Sequence, residues 1–276
     1  MTDFDKIRNY YRYFDEQNRL MSSNSGRLEF ETTMDILHEF LPEEGKILDL
    51  GGGAGAYSFP LSDEGYFVYL ADLSEELISK AKEHGKELDS PLASYDVVNA
   101  TDLTAYDDEQ FDAIILLGPL YHLLESSERM HCVSEVNRVL KKSGIVFASF
   151  IPRLSGSIAL LDRYFNHPDQ VNAETLKQAF KSGKFNNMTD AGFQEGYYPS
   201  INEIEELFSA NGFEKKLLRS LRGFGYEKED ALYKLEKEDR EMFEMTMRLL
   251  NETSQDRAII EMCGHAIYVG CKNSNP

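Results

Sequence analysis

Short apolar runs alternate with amphipathic stretches through the middle of the chain. The runs KILDLG, YFVYLADLS and AIILLG have the length of buried strands. Between them, stretches such as SEELISKAKEHG repeat their apolar residues at the three- and four-residue spacing of a helix. Strands and helices in alternation predict right-handed crossovers and a parallel sheet with helices on both faces. We therefore expect an α/β fold.

Outside this alternation the chain predicts helical additions. We expect helices in residues 1–42, a helix over 126–144 that Gly144 ends, and an acidic helix or helix pair within 227–250. Residues 153–199 are expected to be irregular apart from a helical piece at ETLKQAFKSG. No composition break marks a linker, so we predict one domain over residues 1–276. Its parts are an N-terminal cap (1–45), a core (46–151), a cap insertion (152–199) and a C-terminal part (200–276) with a helical insertion at 222–263.

Composition excludes several classes of function. The formal net charge of -19 argues against a large nucleic-acid footprint, which needs clustered Lys and Arg. The three cysteines include no CxxC pair, so we expect no metal site. The charged, aromatic N-terminus does not resemble a signal peptide, and no apolar run is long enough to span a bilayer. We therefore expect a cytoplasmic protein without membrane contact, either a monomer or a homodimer.

A glycine-rich stretch, KILDLGGGAGAYSFPL, follows the first predicted strand. Asp49 ends the strand, and Gly51, Gly53 and Gly55 then allow the backbone to approach a ligand closely at a helix N-terminus. The pattern is DxGxGxG, and Ala56 departs from the GxGxxG fingerprint of dinucleotide-binding proteins. A plain tight turn is the alternative interpretation.

The second predicted strand ends in another acid, Asp72, within YLADLS. A carboxylate at this position accepts hydrogen bonds from the two hydroxyls of a ribose. Alternatively, Asp72 caps the next helix, although Ser74 is also available as the cap. Together with the glycine loop, Asp72 indicates a ligand that contains adenosine, without separating NAD from other nucleosides.

Five motifs in series extend this pattern, and together they resemble the class I S-adenosylmethionine-dependent methyltransferases. They are KILDLGGGAGAYSFPL, YLADLS, VVNATDL, FDAIILLGPLYHL and EVNRVLKKSGIVFASFI, which cover residues 46–151 in the order of that family. The resemblance implies a three-layer, doubly wound, seven-stranded, mostly parallel sheet with an antiparallel last strand, plus helical cap segments. It also implies that S-adenosyl-L-methionine is the cofactor. The chain departs from many family members in placing residues 222–263 between the last two strands.

The resemblance implies a role for individual cofactor-binding positions. Asp72 would bind the ribose hydroxyls, and Leu73 would pack on the adenine. Asn99 stands where the family usually has an aspartate that contacts the adenine amino group, and its side-chain oxygen can accept the same hydrogen bond. The other implied positions are Asp49, Gly51, Gly53 and Gly55 at the methionine part, Ala100 at the adenine ring, and Leu117 and Gly118 on the sulfonium side.

Two residues after the fourth strand are candidates for catalysis. Methyl transfer from a sulfonium needs proximity and alignment, and it needs a general base only when the acceptor must lose a proton. Tyr121 and His122 lie in GPLYHL, on the sheet edge where the methyl group should point. We interpret His122 as a general base or an acceptor-orienting group, with Tyr121 beside it. Alternatively, His122 caps the following helix or binds a loop carbonyl.

Related methyltransferases often fold N-terminal helices over the cofactor, which draws attention to GRLEFETT. Arg27 is the candidate to bind the cofactor carboxylate, because a guanidinium binds a carboxylate bidentately. The alternative is that Arg27 only pairs with Glu29 or Glu31. Glu29 and Phe30 are candidates for the acceptor pocket, as are the aromatic residues Tyr10, Tyr11, Tyr13, Phe14, Tyr164, Phe165, Tyr197 and Tyr198, for which core packing is the alternative.

The sequence therefore predicts an enzyme that methylates a small-molecule acceptor. The extra helical segments suit a covered pocket, and the acidic composition disfavours RNA. The alternatives are an RNA or protein methyltransferase, a non-catalytic cofactor-binding protein, and a nicotinamide-dependent oxidoreductase.

Overall fold

The computed structural model describes residues 2–13, 20–189, 193 and 195–274. Its centre is a seven-stranded sheet in the order β3-β2-β1-β4-β5-β9-β8. The strands are β1 (Lys46–Leu50), β2 (Phe67–Asp72), β3 (Ser94–Val97), β4 (Phe111–Leu116), β5 (Leu140–Phe150), β8 (Phe213–Ser220) and β9 (Ala266–Lys272).

Strand β9 is the antiparallel member of this sheet. It pairs antiparallel with β5 on one side and with β8 on the other, whereas β1 to β5 pair with one another in parallel. The strand order reverses between β1 and β4, which creates a crevice at the carboxyl ends of these two strands. The predicted fold class, a doubly wound sheet with an antiparallel last strand, is confirmed.

The side chains of the strands alternate between the two faces of the sheet. Both faces are apolar and buried, because helices cover each of them. Leu48 and Ile114 belong to one apolar cluster, and Ile47 and Ile115 belong to the other. The helices of the core are α2 (Asn24–Phe40), α3 (Ser58–Asp63), α4 (Glu75–Glu87), α5 (Ser126–Val139) and α8 (Ile201–Ala210).

Further elements lie outside the core. They are α1 (Phe4–Tyr13), α6 (Arg153–Asn166), α7 (Ala173–Ser182), a small antiparallel sheet of β6 (Lys184–Asn186) and β7 (Glu195–Tyr197), α9 (Glu229–Glu238), α10 (Arg240–Thr253) and α11 (Arg257–Met262). None of the helices described in these residue ranges is both long and apolar enough to cross a membrane.

Two predictions of secondary structure were wrong. The helix expected to run to Gly144 ends at Val139, and β5 begins at Leu140, because Leu140 pairs with Phe111 of β4. The start of the cap insertion was expected to be irregular, but it forms α6. A Cβ atom at Gly156 of α6 would lie 2.5 Å from the Tyr198 ring, so this helix is packed tightly against the segment before α8.

Candidate functional site

A cavity of about 380 Å³ lies at the carboxyl edge of the sheet, where the strand order reverses. Its floor is formed by the ends of β1, β2 and β4 and the loops that follow them. The predicted cofactor residues that line it are Asp49, Gly51, Gly53, Gly55, Asp72, Leu73, Asn99, Ala100, Leu117 and Gly118. The predicted catalytic residues Tyr121 and His122 line the same cavity.

The glycine loop follows β1 in a conformation that other residues adopt only with strain. Gly51 has φ +79°, and a Cβ atom there would lie 2.6 Å from Cδ of Pro119. The Gly51 N–H donates to the carbonyl of Ala71 at 2.7 Å, and the Gly53 N–H donates to the carboxylate of Asp72 at 2.9 Å. These two N–H groups therefore hold the loop against β2, and the missing side chains leave the cavity open above it.

Asp72 stands at the end of β2 and connects two backbone segments. Its Oδ2 accepts from Gly53 N–H at 2.9 Å, and its Oδ1 accepts from Ser74 N–H at 2.8 Å. Ser74 caps α4 through its own hydroxyl, which accepts from Leu77 N–H. Asp72 therefore fixes the glycine loop to the start of α4 at the edge of the cavity that it lines.

Asp49 is almost fully buried beneath the glycine loop. Burial raises the pKa of its carboxyl to about 7, although a hydrogen bond from the Ser58 hydroxyl at 2.7 Å opposes this rise. The nearby charge of Asp72 raises the pKa of Asp49 further. The Asp49 carboxyl is therefore close to half-ionised near neutral pH, and a ligand with positive charge favours its ionised form.

Asn99 and Ala100 form one wall of the cavity after β3. The Asn99 side-chain oxygen accepts from both the N–H and the hydroxyl of Thr101, each at 3.0 Å. This oxygen therefore closes a local turn, and its contact with the adenine amino group stays a prediction. At the end of β4, the Leu117 carbonyl accepts from the Ser149 hydroxyl at 2.7 Å, which fixes the wall next to Gly118.

Helix α1 forms the roof of the cavity through the side chains of Phe4, Ile7, Arg8 and Tyr11. Sequence reasoning singled out Tyr11 among these and missed the other three. The apolar spacing of FDKIRNYY predicts a helix with one face to bury, but it does not say which surface receives that face. Arg8 is paired with Asp5 at 2.7 Å.

His122 is buried between aromatic rings and the roof. Its Nε2 lies 2.9 Å from the Tyr11 hydroxyl, and its Nδ1 has no hydrogen-bond partner within the described parts of the chain. Burial lowers the pKa of His122 to about 3, so the imidazole is neutral at neutral pH. Among the described residues, its side chain is bonded to Tyr11 and to no loop carbonyl or helix end, and its catalytic role stays a prediction.

Tyr121 ends a short 3₁₀ turn, Pro119–Tyr121, that leaves β4. A Cβ atom at Gly118 would lie 3.7 Å from the Tyr121 hydroxyl oxygen, so this hydroxyl is near the end of β4. The Tyr121 ring also lies 4.8 Å from the His122 ring and 6.3 Å from the His265 ring, measured between centroids. Tyr121 thus borders the cavity on the side that faces β5 and β9.

The structure does not bring Arg27 to the cavity. Its guanidinium donates to Glu31 at 2.7 Å and to both oxygens of Glu236 at 2.8 and 3.1 Å, and it stacks 4.1 Å above the Tyr233 ring. This is the pairing alternative, with Glu236 of α9 as an additional partner that is 209 residues away in the chain. The Arg27 guanidinium is already bound by two carboxylates and the Tyr233 ring. The predicted contact of Arg27 with the cofactor carboxylate was therefore wrong.

The remaining acceptor-pocket candidates are dispersed. Phe30 stacks on Tyr57, with centroids 5.3 Å apart, and Glu29 lies beside His265. Tyr164 and Phe165 are exposed, and Tyr198 belongs to the apolar cluster beneath α6. The Tyr13 side chain and Phe14 lie outside the described residues.

Comparison with known proteins shows what the core of the chain resembles. Residues 48–148 match the family described as Methyltransferase domain. The Bacillus subtilis (strain 168) protein YqeM, which carries a methyltransferase name, is 36% identical over 38% of this chain and 42% of its own length. A ubiquinone biosynthesis O-methyltransferase of Xanthomonas oryzae pv. oryzae (strain PXO99A) is 31% identical over 42% of this chain and 46% of its own length. The chain thus spans less than half the length of these relatives.

Solved structures extend the similarity to nearly the whole fold. The PH0226 protein of Pyrococcus horikoshii OT3 aligns with a TM-score of 0.65 and 22% identity, over 96% of this chain and 99% of its own. Magnesium protoporphyrin IX methyltransferase from Synechocystis PCC 6803, solved with bound S-adenosylmethionine, aligns with a TM-score of 0.56 and 15% identity, over 99% and 98%. Residues 48–148 are therefore similar to a methyltransferase domain, and the whole chain shares its fold with these solved structures.

Proposed function

We propose that this protein transfers a methyl group from S-adenosylmethionine to a small-molecule acceptor. One observation carries the proposal. The glycine loop, Asp72 and the Asn99 segment converge on a single cavity at the strand-order reversal, roofed by α1. Ligands of open α/β sheets bind at this position.

The residues present fit the cofactor. The volume of about 380 Å³ is within the range of small-molecule sites. Asp72 places a carboxylate at the cavity, where a ribose hydroxyl can donate to it, and Asp49 carries a carboxyl whose ionised form suits a positively charged ligand. The buried, unpartnered Nδ1 of His122 is the kind of polar atom that a bound ligand or water satisfies.

When bound, the cofactor supplies a methyl group on a positively charged sulfur, which leaves as a neutral thioether. The chain therefore has to hold the reactants in line and exclude water. Phe4 and Ile7 of α1 cover the cavity with apolar surface, and Leu117 and Gly118 form its wall where β4 ends. Tyr121 lines the same cavity just after β4 ends.

A small acceptor is favoured over a macromolecule for two reasons. The cavity is covered by α1, whereas an RNA or protein side chain needs an open approach. The net charge of -19 also opposes binding of a polyanion. The ubiquinone biosynthesis relative carries the name of an O-methyltransferase that acts in the synthesis of a small molecule, which supports the same substrate class.

The test offers the protein three pools of acceptors together with S-adenosylmethionine labelled in its methyl group. The pools are a deproteinised bacterial extract below about 1 kDa, total RNA and total protein. We expect the label in the small-molecule pool, and we expect Asp72→Ala to abolish its transfer. Label that enters only RNA or only protein would contradict the small-molecule assignment.

A further inference from the structure

A second cavity lies beside the cavity that we propose to bind the cofactor. Its volume is about 280 Å³, and its apolar lining includes Leu120, Phe150, Ile204 and Leu207. Phe150 ends β5, which pairs with β4, so the two cavities lie at neighbouring strand ends. Tyr121 lines both of them. A molecule in the second cavity therefore borders the cofactor cavity at Tyr121.

Arg129 of α5 places a buried positive charge in the lining of the second cavity. The residue is only 8% exposed. Its Nη1 donates to the Leu123 carbonyl at 2.5 Å, and its guanidinium stacks on the Tyr197 ring with Cζ 3.4 Å from the ring centroid. Arg129 forms no ion pair with any residue that the structure describes. Because buried charges in proteins are normally paired, this arrangement indicates an anionic ligand.

The acids nearest to Arg129 along the chain are bound by other groups. Burial lowers the pKa of Arg129, and the charges of Glu125 and Glu128 oppose this shift from nearby. The Glu125 carboxylate lies 3.0 Å from the ammonium of Lys184. The Glu128 carboxylate accepts from the backbone N–H and the hydroxyl of Thr2. Neither carboxylate therefore forms the ion pair that Arg129 lacks.

Two acids line the second cavity, Glu203 and Glu206. Glu203 accepts from Ser200 N–H at 2.7 Å and from the Tyr197 hydroxyl at 2.9 Å. It also pairs with Arg153, which compensates its charge. Burial alone would raise the pKa of Glu203, but these contacts lower it to about 2, so the carboxylate is ionised and fully engaged. Glu206 is exposed to solvent. The charge of Arg129 thus remains uncompensated inside the cavity.

The chemistry of this lining suits a carboxylate attached to an apolar body. Stacking on Tyr197 uses the face of the Arg129 guanidinium and leaves N–H groups at its edge, which match the two oxygens of a carboxylate. A single positive charge balances a monoanion. A dianionic phosphate would leave excess negative charge near Glu203 and Glu206. The apolar side chains of the lining can bury a hydrocarbon or aromatic group.

We propose that the second cavity binds the methyl acceptor by a carboxylate held by Arg129, with the reacting group of the acceptor reaching the cofactor cavity past Tyr121. This inference rests on the proposed function and adds the substrate class, an apolar carboxylic acid. Arg129 lines the second cavity and not the cofactor cavity. The carboxylate is therefore the anchor of the acceptor and not the group that is methylated.

The test measures benzoate binding to the protein saturated with S-adenosylhomocysteine, which fills the cofactor cavity. Benzamide has the same shape without the charge, and phenyl phosphate carries a second negative charge. Ligand-observed NMR titration gives the three dissociation constants. We expect benzoate to bind with a Kd of about 1–10 mM, as suits a fragment of this size. Benzamide and phenyl phosphate should bind at least about ten-fold more weakly.

Variants assign the effect to Arg129. Arg129→Met should weaken benzoate binding about ten-fold, and Arg129→Lys, which keeps the charge without the planar fork, should retain about a three-fold preference for benzoate over benzamide. The matched control is Arg163→Met. The Arg163 guanidinium also donates to a backbone carbonyl, that of Phe193 at 2.8 Å, and lies over an aromatic ring, that of Phe185, but outside this cavity. The control should bind benzoate as the wild type does, and all variants should keep S-adenosylhomocysteine affinity within about two-fold.

The possible results separate this inference from the proposed function. If the wild type does not bind S-adenosylhomocysteine, the proposed function fails. If it does, but binds benzoate no more tightly than benzamide, this inference alone is overturned, as it is if Arg163→Met weakens benzoate as much as Arg129→Met. Tighter binding of phenyl phosphate than of benzoate would overturn the carboxylate class. If Arg129→Met also loses S-adenosylhomocysteine, Arg129→Lys decides, and a preference unchanged from the wild type would contradict a role for the guanidinium.

Discussion

Asp49 and His122 both line the cavity. Burial raises the pKa of Asp49 and lowers the pKa of His122, so it favours the neutral form of each. The Asp49 carboxyl has a pKa of about 7, and the His122 imidazole has a pKa of about 3. His122 is therefore neutral over the working range of most enzymes, whereas Asp49 changes charge within it. Of these two groups, Asp49 is the one that we expect to make ligand binding depend on pH near neutrality.

Affinity for S-adenosylmethionine should therefore depend on pH through Asp49. The cofactor carries a sulfonium and an ammonium, so it binds the ionised carboxylate better than the acid. Affinity is expected to rise about ten-fold for each pH unit approaching 7 from below, and to level off above it, where Asp49 of the free protein is already ionised. Calorimetry from pH 5.5 to 8.5 measures this slope.

Asp49→Asn provides the control for this prediction. The variant removes the titrating group while keeping an acceptor for the Ser58 hydroxyl. It should bind more weakly above pH 7 and show a flat profile. A slope that persists in Asp49→Asn would assign the titration to another group.

Single residues also show where sequence reasoning succeeds. Asp72 and Gly51 were predictable because a strand end and a tight turn are local features that fix their place at the sheet edge. Arg27 was not, because its partner Glu236 is 209 residues away, and no local pattern predicts that contact.

At the scale of elements, the strands and the helices between them follow from hydrophobic periodicity alone. Helix α6 does not, because it begins RLSGS, with serine and glycine that favour a helix weakly, and the packing of Gly156 on Tyr198 stabilises it instead. The end of α5 was also set by a distant contact, the pairing of Leu140 with Phe111. Tertiary packing decided the elements that sequence reasoning missed.

Helix α1 depends on distant contacts as well. Thr2 joins it to α5, since its backbone N–H donates to Glu128 at 2.9 Å and its hydroxyl donates to the same carboxylate at 2.5 Å. The Thr2 hydroxyl oxygen also accepts from Leu124 N–H at 2.9 Å. Tyr11 holds the other end of the helix through His122. These contacts keep the roof in place over the cavity.

Weakening the attachment of α1 over the cavity should speed the release of a bound ligand. Thr2→Val removes the hydroxyl and leaves Leu124 N–H without its acceptor, at a cost of about 1–2 kcal/mol to the closed roof. We expect S-adenosylhomocysteine to dissociate about five- to thirty-fold faster, as measured by stopped-flow displacement. Thr246→Val is the control, because the Thr246 hydroxyl donates to the Met242 carbonyl of its own helix. Equal dissociation rates in Thr2→Val and the wild type would show that α1 does not retain the ligand.

At the scale of the whole molecule, the sheet order brings distant parts of the chain to one edge. The β1 and β2 loops form the cavity, and the segment before β9 lies two strands away beside Tyr121. Under the proposed function, the core supplies the cofactor site, and α1 outside the core supplies its roof. The formal net charge of -19 is the reason that we expect no nucleic-acid partner.

The proposed function requires the cavity to bind S-adenosylmethionine through Asp72. Titration calorimetry of S-adenosylmethionine, S-adenosylhomocysteine and NAD against the wild type and Asp72→Ala tests it directly. We predict micromolar binding of the first two ligands, no binding of NAD, and a loss of at least about 100-fold in Asp72→Ala, since two charge-assisted hydrogen bonds to the ribose disappear. Failure of the wild type to bind either sulfur ligand would contradict the account.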